Sequence, residues 1–175
     1  MDYFQGVVTE YLRANRATFV NTECLIQLDQ YLPTKGRHWY CDAVAVNFVE
    51  QRVYLCEVSY AATLGALIRR LINWSNHWPA ICMAISRDCG IPSSWAIHPW
   101  VFIPEKRRSL FETKIAILAK NLGAGAMPVP IATSLENIVP WEYPSWNRKL
   151  EEIAEEGAEA NGGEGEDSLS ITSAT

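Results

Sequence analysis

No segment of the 175-residue chain reaches the roughly 18–20 consecutive apolar residues needed to cross a bilayer. The opening Met-Asp-Tyr-Phe-Gln lacks the basic flank and apolar run of a secretion signal. Both absences predict a cytoplasmic protein with no membrane partner. A CxxC pair is missing too, and the nearest approach to a zinc motif, His38-Trp39-Tyr40-Cys41, has no second pair. The five cysteines, Cys24, Cys41, Cys56, Cys82 and Cys89, are odd in number, and the first four lie in apolar strand-like runs. They read as buried small hydrophobes in a reducing compartment. A hydrolase dyad of Cys41 with His98 finds no nucleophile elbow and no third orienting residue. No internal repeat is visible. Basic residues are absent from Glu151 to Thr175, where eight acids stand.

That last absence changes the meaning of the net charge of −5. Residues 1–150 hold all 15 Lys and Arg against 12 acids, so the folding part is mildly basic at +3 and the end of the chain carries −8. With 49% hydrophobic and 20% charged residues, the chain can bury a sizeable core. Its length fits one domain with an appendage. The expected division is a domain over residues 1–146 and an acidic, largely disordered tail over 147–175, where Gly157, Gly162, Gly163 and Gly165 fall among acids and hydroxyl residues.

Phe4, Val7, Val8 and Tyr11 recur at helical spacing, with Glu10 beside that stripe. Phe19–Leu28 reads as a strand, and Leu32–Arg37 has loop composition. Cys41–Val49 and Arg52–Ser59 are two β-rich runs that form a hairpin about Glu50-Gln51. Leu64, Leu67, Ile68, Leu71 and Trp74 mark a helix over 61–78 that Pro79 stops, with Arg69, Arg70, Asn73 and His77 on its other side. Ala80–Ile85 reads as a strand covered on both faces, Trp100–Ile103 as another strand, and 105–121 as a helix closed by Gly123. Met127–Ala132 adds an edge strand, since Pro128 and Pro130 are disfavoured in a central one. The class is α/β, a mixed sheet flanked by helices in the order α-β-β-β-α-β-β-α.

The hairpin register follows from a two-residue turn, which pairs Val46 with Leu55, Val44 with Glu57 and Asp42 with Ser59. Alternation then puts Asp42 and Glu57 on one face, about 7–8 Å apart along a diagonal, near enough for both carboxylates to reach one metal ion. That face also carries Val44, Val46, Phe48, Val53 and Leu55 and points to the core, where paired carboxylates repel and are desolvated. A positive group belongs there. A divalent cation is the economical one, and Glu10 is available as a third oxygen ligand.

A helix bearing Glu10, a strand, a loop, a strand entered at Cys41-Asp42, a strand ending Glu57-Val58-Ser59 and a following helix resemble the core of the PD-(D/E)xK, restriction-endonuclease-like nuclease superfamily over roughly residues 5–103. The resemblance implies Mg²⁺ (or Mn²⁺) held by Glu10, Asp42 and Glu57, and hydrolysis of phosphodiester bonds in DNA. It also implies a catalytic set of Asp42, Glu57 and the Glu-x-Lys lysine, here replaced by Ser59. A neutral hydroxyl can hydrogen-bond a water but supplies no positive charge. Lys35, Arg37, Arg69 and Arg70 are candidates to supply it, although arginine cannot be a general base. Lys35, Arg37, Arg69 and Arg70 with Trp39 or Tyr40 also suit nucleic acid, the charges for phosphate and a ring for base stacking. Lys106-Arg107-Arg108, at a helix start where positive charge opposes the dipole, hints at an anion-facing patch.

Each of these residues has a plainer reading. Glu10 can be a solvated helix acid, Asp42 a partner of Arg37, Glu57 a partner of Arg70, Ser59 a helix cap, and Arg69, Arg70, Asn73 and His77 a wet helix face. The missing lysine therefore leaves two functions open. One is a metal-dependent nuclease, the other a catalytically inactive module of the same fold that binds nucleic acid or a protein. A homodimer or a partner protein is compatible with so compact a core, but no residue specifies it.

Overall fold

The computed structural model describes residues 2–15, 17–29, 38–119 and 127–138. The chain divides into two units, Met1–Tyr143 and Pro144–Thr175. The acidic tail and the loop holding Lys35 and Arg37 lie outside the described residues.

Helix α1 (Tyr3–Arg13) begins at a capping box. The Gln5 N–H donates to Asp2 Oδ1 (2.9 Å) and the Asp2 N–H to Gln5 Oε1 (2.8 Å), which satisfies two orphan donors at once. Strands β1 (Thr18–Gln27), β2 (His38–Asn47) and β3 (Arg52–Val58) follow as an antiparallel run. Then come α2 (Gly65–Asn76), α3 (Trp78–Cys89), β4 (Ala96–Ile103), α4 (Arg108–Ala119) and β5 (Ile131–Ser134). The sheet order is β1-β2-β3-β4-β5, with β4 parallel to β3 and β5 parallel to β4, so the sheet is mixed and β2 alone runs against the other strands. β5 is an edge strand that starts just beyond Pro130, as a chain without amide donors at 128 and 130 requires.

Alternation along β3 sorts the core into two layers. Val53 and Leu55 face α2, α3 and α4, packing with Leu67, Leu71, Trp74, Ile81, Ile85, Phe111 and Ile115. Tyr54 and Cys56 face α1, packing with Val8, Leu12, Ala43, Ala45 and Phe102. Full burial of a Leu or Ile side chain contributes roughly 1.5–3 kcal/mol, so these layers hold the helices to the sheet. Among the described residues no helix is long and apolar enough to cross a membrane.

The structure corrects several elements. Ala80–Ile85, expected as a buried strand, lies inside α3. Its buried residues are Trp78, Ile81, Ala84 and Ile85, at helical spacing, whereas Met83 is 68% exposed. A short apolar run does not by itself distinguish a helix from a strand, and Pro79 in the first turn starts this helix rather than ending the previous one. The sequential order is therefore α-β-β-β-α-α-β-α-β. α2 begins at Gly65 after Leu64, which has φ 54° and offers no side-chain cap, so Ser59 is not the helix cap. Of the cysteines, Cys41 and Cys56 are buried, Cys24 and Cys82 half-buried, and Cys89 exposed.

The hairpin turn is longer than two residues. Asn47 Oδ1 accepts the N–H groups of Val49 (3.1 Å) and Glu50 (3.0 Å), Gln51 has φ 53°, and Phe48–Gln51 form a four-residue loop. The pairs are Val46↔Val53, Val44↔Leu55 and Ala43↔Cys56. This register is shifted by two from the expected one. A shift of two keeps the side chains of the paired residues, Ala43–Asn47 and Arg52–Cys56, on their faces, and the ladder ends just before Asp42 and Glu57.

Candidate functional site

Asp42 sits where β2 changes face. Trp39 and Cys41 pack with the α2–α3 layer, whereas Ala43 and Ala45 pack with α1. The β1–β2 ladder omits one pair at this point, between Thr22↔Ala43 and Cys24↔Cys41, and Glu23 on β1 has φ 53° there. From this break Asp42 reaches two fixed donors. Its Oδ1 accepts Gln5 Nε2 of α1 (2.9 Å) and its Oδ2 accepts the Val58 N–H of β3 (2.8 Å). The capping box holds the Gln5 amide oxygen, so the amide nitrogen is aimed at Asp42.

Glu57 is 2% exposed and accepts a charge-assisted hydrogen bond from Arg70 Nη1 of α2 through Oε2. Its other oxygen, Oε1, is buried without a hydrogen-bond partner. Burial first, then the facing Asp42 carboxylate, push the Glu57 carboxyl well above its usual range, against the lowering effect of Arg70. Gln5, Asp42, Glu57, Val58, Ser59, Ala66, Leu67 and Arg70 line one cleft of about 120 Å³. With both carboxylates ionised, one guanidinium leaves the lining short of one positive charge.

Ser59 is at this cleft, half-buried, with its backbone N–H donating to the Phe102 carbonyl of β4 (3.0 Å). Glu10 is not there. Its side chain is 63% exposed and pairs with Arg13 at 3.1 Å. The buried stripe of α1 centres on Val8 and Leu12, and Glu10 is two residues from each, about 200° around the helix and thus opposite the stripe, not beside it. The α1 residue that meets Asp42 is Gln5. Among the described residues no group of three His, Cys, Asp or Glu side chains can hold a metal, so the three-acid set is not assembled.

The nucleic-acid candidates also separate. Arg70 is in the cleft and Arg69 is exposed on α2, whereas Trp39 packs on His77 (ring centroids 5.2 Å) and against the core. Lys35 and Arg37 fall outside the described residues. Arg108 is bound to Glu105, the Ala132 carbonyl (3.3 Å) and Ser134 Oγ (3.0 Å), tying the start of α4 to β5, so it is not a free anion contact. Cys41 donates to the Ala43 and Cys56 carbonyls (3.1 and 3.2 Å) and burial pushes its thiol up, the opposite of an activated nucleophile.

Three exposed rings stand beside the cleft that sequence reasoning did not select. Phe4 lies 5.5 Å from Tyr3 and 4.9 Å from Tyr60, and the Tyr60 hydroxyl donates to Asp2 Oδ2 (3.2 Å). Phe4 and Tyr60 are the chain neighbours of Gln5 and Ser59, which line the cleft. The Asp2-x-x-Gln5 capping box was the available signal for Gln5 and for where α1 starts.

A Mg²⁺-sized ion commonly takes one or two carboxylates and completes its shell with water and phosphate oxygens. Asp42 and Glu57 are two such carboxylates, and Glu57 Oε1 is buried without a hydrogen-bond partner. Compared with known proteins, the chain matches no family model, no curated protein and no solved structure.

Proposed function

We propose that residues 1–146 form a PD-(D/E)xK, restriction-endonuclease-like domain that hydrolyses phosphodiester bonds in DNA with Mg²⁺ or Mn²⁺ held by Asp42 and Glu57. The carrying observation is that these two carboxylates come from adjacent strands to one cleft, with Glu57 Oε1 buried and unpartnered. The αβββ order followed by α2 and α3 before β4 supports the same reading. Bound there, the cation supplies a Lewis acid and an activated water. Gln5 and the Val58 N–H orient Asp42, and Arg70 offers a guanidinium for phosphate but no base. The Ser59 hydroxyl orients a water without adding charge. Tyr3, Phe4 and Tyr60 offer a stacking platform for an unpaired base beside the cleft.

A second reading is favoured by Ser59 in the lysine position and by Arg70 already neutralising Glu57. In it the domain is catalytically silent and binds nucleic acid or a protein. One experiment separates them: plasmid and single-stranded DNA are incubated with the protein and Mg²⁺, Mn²⁺ or chelator. The nuclease reading expects metal-dependent nicking that disappears in Asp42→Ala and Glu57→Ala. DNA binding without nicking would select the silent module, and absence of any metal binding by calorimetry would remove the two-carboxylate centre.

A further inference from the structure

Arg70 is the only cation lining the cleft among the described residues, and it holds one of the two oxygens of a buried carboxylate. Glu57 lies on β3 and is 2% exposed, whereas the Arg70 side chain is 36% exposed. Asp42 is held differently, by a backbone N–H and a neutral amide that carry no charge to be displaced. A divalent ion between Asp42 and Glu57 would replace a single positive charge by a double one and would repel the guanidinium beside it. The cheap response is for Arg70 to swing out, since the arginine stem is long and its side chain is already about a third exposed.

We propose that Arg70 is the cleft's exchangeable counter-ion: a divalent cation displaces its guanidinium from Glu57, and the freed guanidinium then receives a phosphate. This rests on the metal reading above and deepens it. The consequence is reciprocal coupling, because the metal uncovers the phosphate-binding fork and phosphate draws that fork away from Glu57. Arginine suits the second task, as its planar fork matches two phosphate oxygens. In the absence of metal the same residue neutralises a buried carboxylate, so the cleft needs no ion to fold.

The test is calorimetric titration of the full 175-residue chain, and of its Arg70→Ala and Arg70→Gln variants, with Mg²⁺ alone, inorganic phosphate alone, and phosphate with Mg²⁺ saturating. Removing the competitor should tighten Mg²⁺ binding about fivefold or more, the lower end of ordinary coupling between sites. In the unmodified chain Mg²⁺ should tighten phosphate binding, and in both variants that enhancement should disappear. Circular dichroism and a cooperative melt establish that a variant is folded, and Arg70→Gln keeps a polar partner for Glu57 should Arg70→Ala not fold. Mg²⁺ affinity unchanged or weaker in a folded variant would overturn the exchange while leaving the metal centre standing. Persistence of the phosphate enhancement without Arg70 would do the same. Absence of Mg²⁺ binding in all three proteins would overturn both readings.

Discussion

At Glu57 burial and the nearby Asp42 carboxylate, which disfavour the charged form, outweigh the Arg70 guanidinium, which favours it. The Glu57 carboxyl is raised relative to the unfolded chain, so the folded state keeps a proton that the unfolded state releases. The stability this contributes is complete below the unfolded value near 4.5 and is lost as pH rises through the higher folded value. Glu57→Gln mimics the protonated group at every pH. Thermal melts should therefore place it above the unmodified protein at neutral pH, with the difference vanishing below pH 4.5. A constant difference across pH would mean that Glu57 is not raised. Burial also pushes His98 down, which acts in the opposite sense and cancels in this comparison because it is common to both proteins. Asp42 and Glu57 were legible in the sequence as acids within two apolar β-rich runs, although β2 breaks its alternation at Asp42. Arg70 was legible only as an alternative. It is three residues from Leu67 and four from Trp74, so it flanks the buried stripe of α2 and reaches the sheet, while Arg69 does not.

Among the elements, α3 is the instructive one. Ala80-Ile81-Cys82-Met83-Ala84-Ile85 is nearly continuous in apolar residues, and such a run fits a strand buried on both faces as well as a helix. Tertiary packing decides in favour of one stripe, Ile81, Ala84 and Ile85, and leaves Met83 in solvent. The two geometries differ in what substitution costs. Ile81→Ala should lose about 2–5 kcal/mol, whereas Met83→Ala should stay within about 0.5 kcal/mol in chemical denaturation. Comparable losses at both positions would restore the strand. The hairpin shows the reverse case: its loop is two residues longer than the sequence pattern suggested, because the Asn47 side chain caps the turn. Asp42 and Glu57 still line one cleft, but alternation alone does not bring them there, because β2 changes face at Asp42 and its carboxylate bonds Gln5 of α1 while Glu57 bonds Arg70 of α2. Glu10 is not there. Its place depended on which of several apolar residues, Phe4, Val7, Val8 or Tyr11, marked the centre of the buried stripe of α1, and the sheet selected Val8 with Leu12.

For the whole molecule, charge is the property that composition alone misstates. The total of −5 combines +3 over residues 1–150 with eight acids after residue 150. A polyanion meeting the domain would be repelled by those acids over a distance that salt shortens. Deleting residues 151–175 should therefore strengthen DNA binding at low salt, in a filter or anisotropy assay, and the advantage should shrink as salt is raised. Equal affinities at low salt would deny the acidic segment that part. What the sequence determined by itself was the set of local rules: apolar periodicity, strand alternation, proline and capping chemistry, and the segregation of charge. Those rules act between near neighbours along the chain, and they sufficed for an α/β class with a mixed sheet. Only the tertiary structure decided that Gln5 rather than Glu10 meets Asp42, and that Arg70 rather than a third acid meets Glu57. Those contacts join residues 37 and 13 positions apart. They arise where α1 and α2 pack on opposite faces of one sheet, a geometry that the separate elements do not contain.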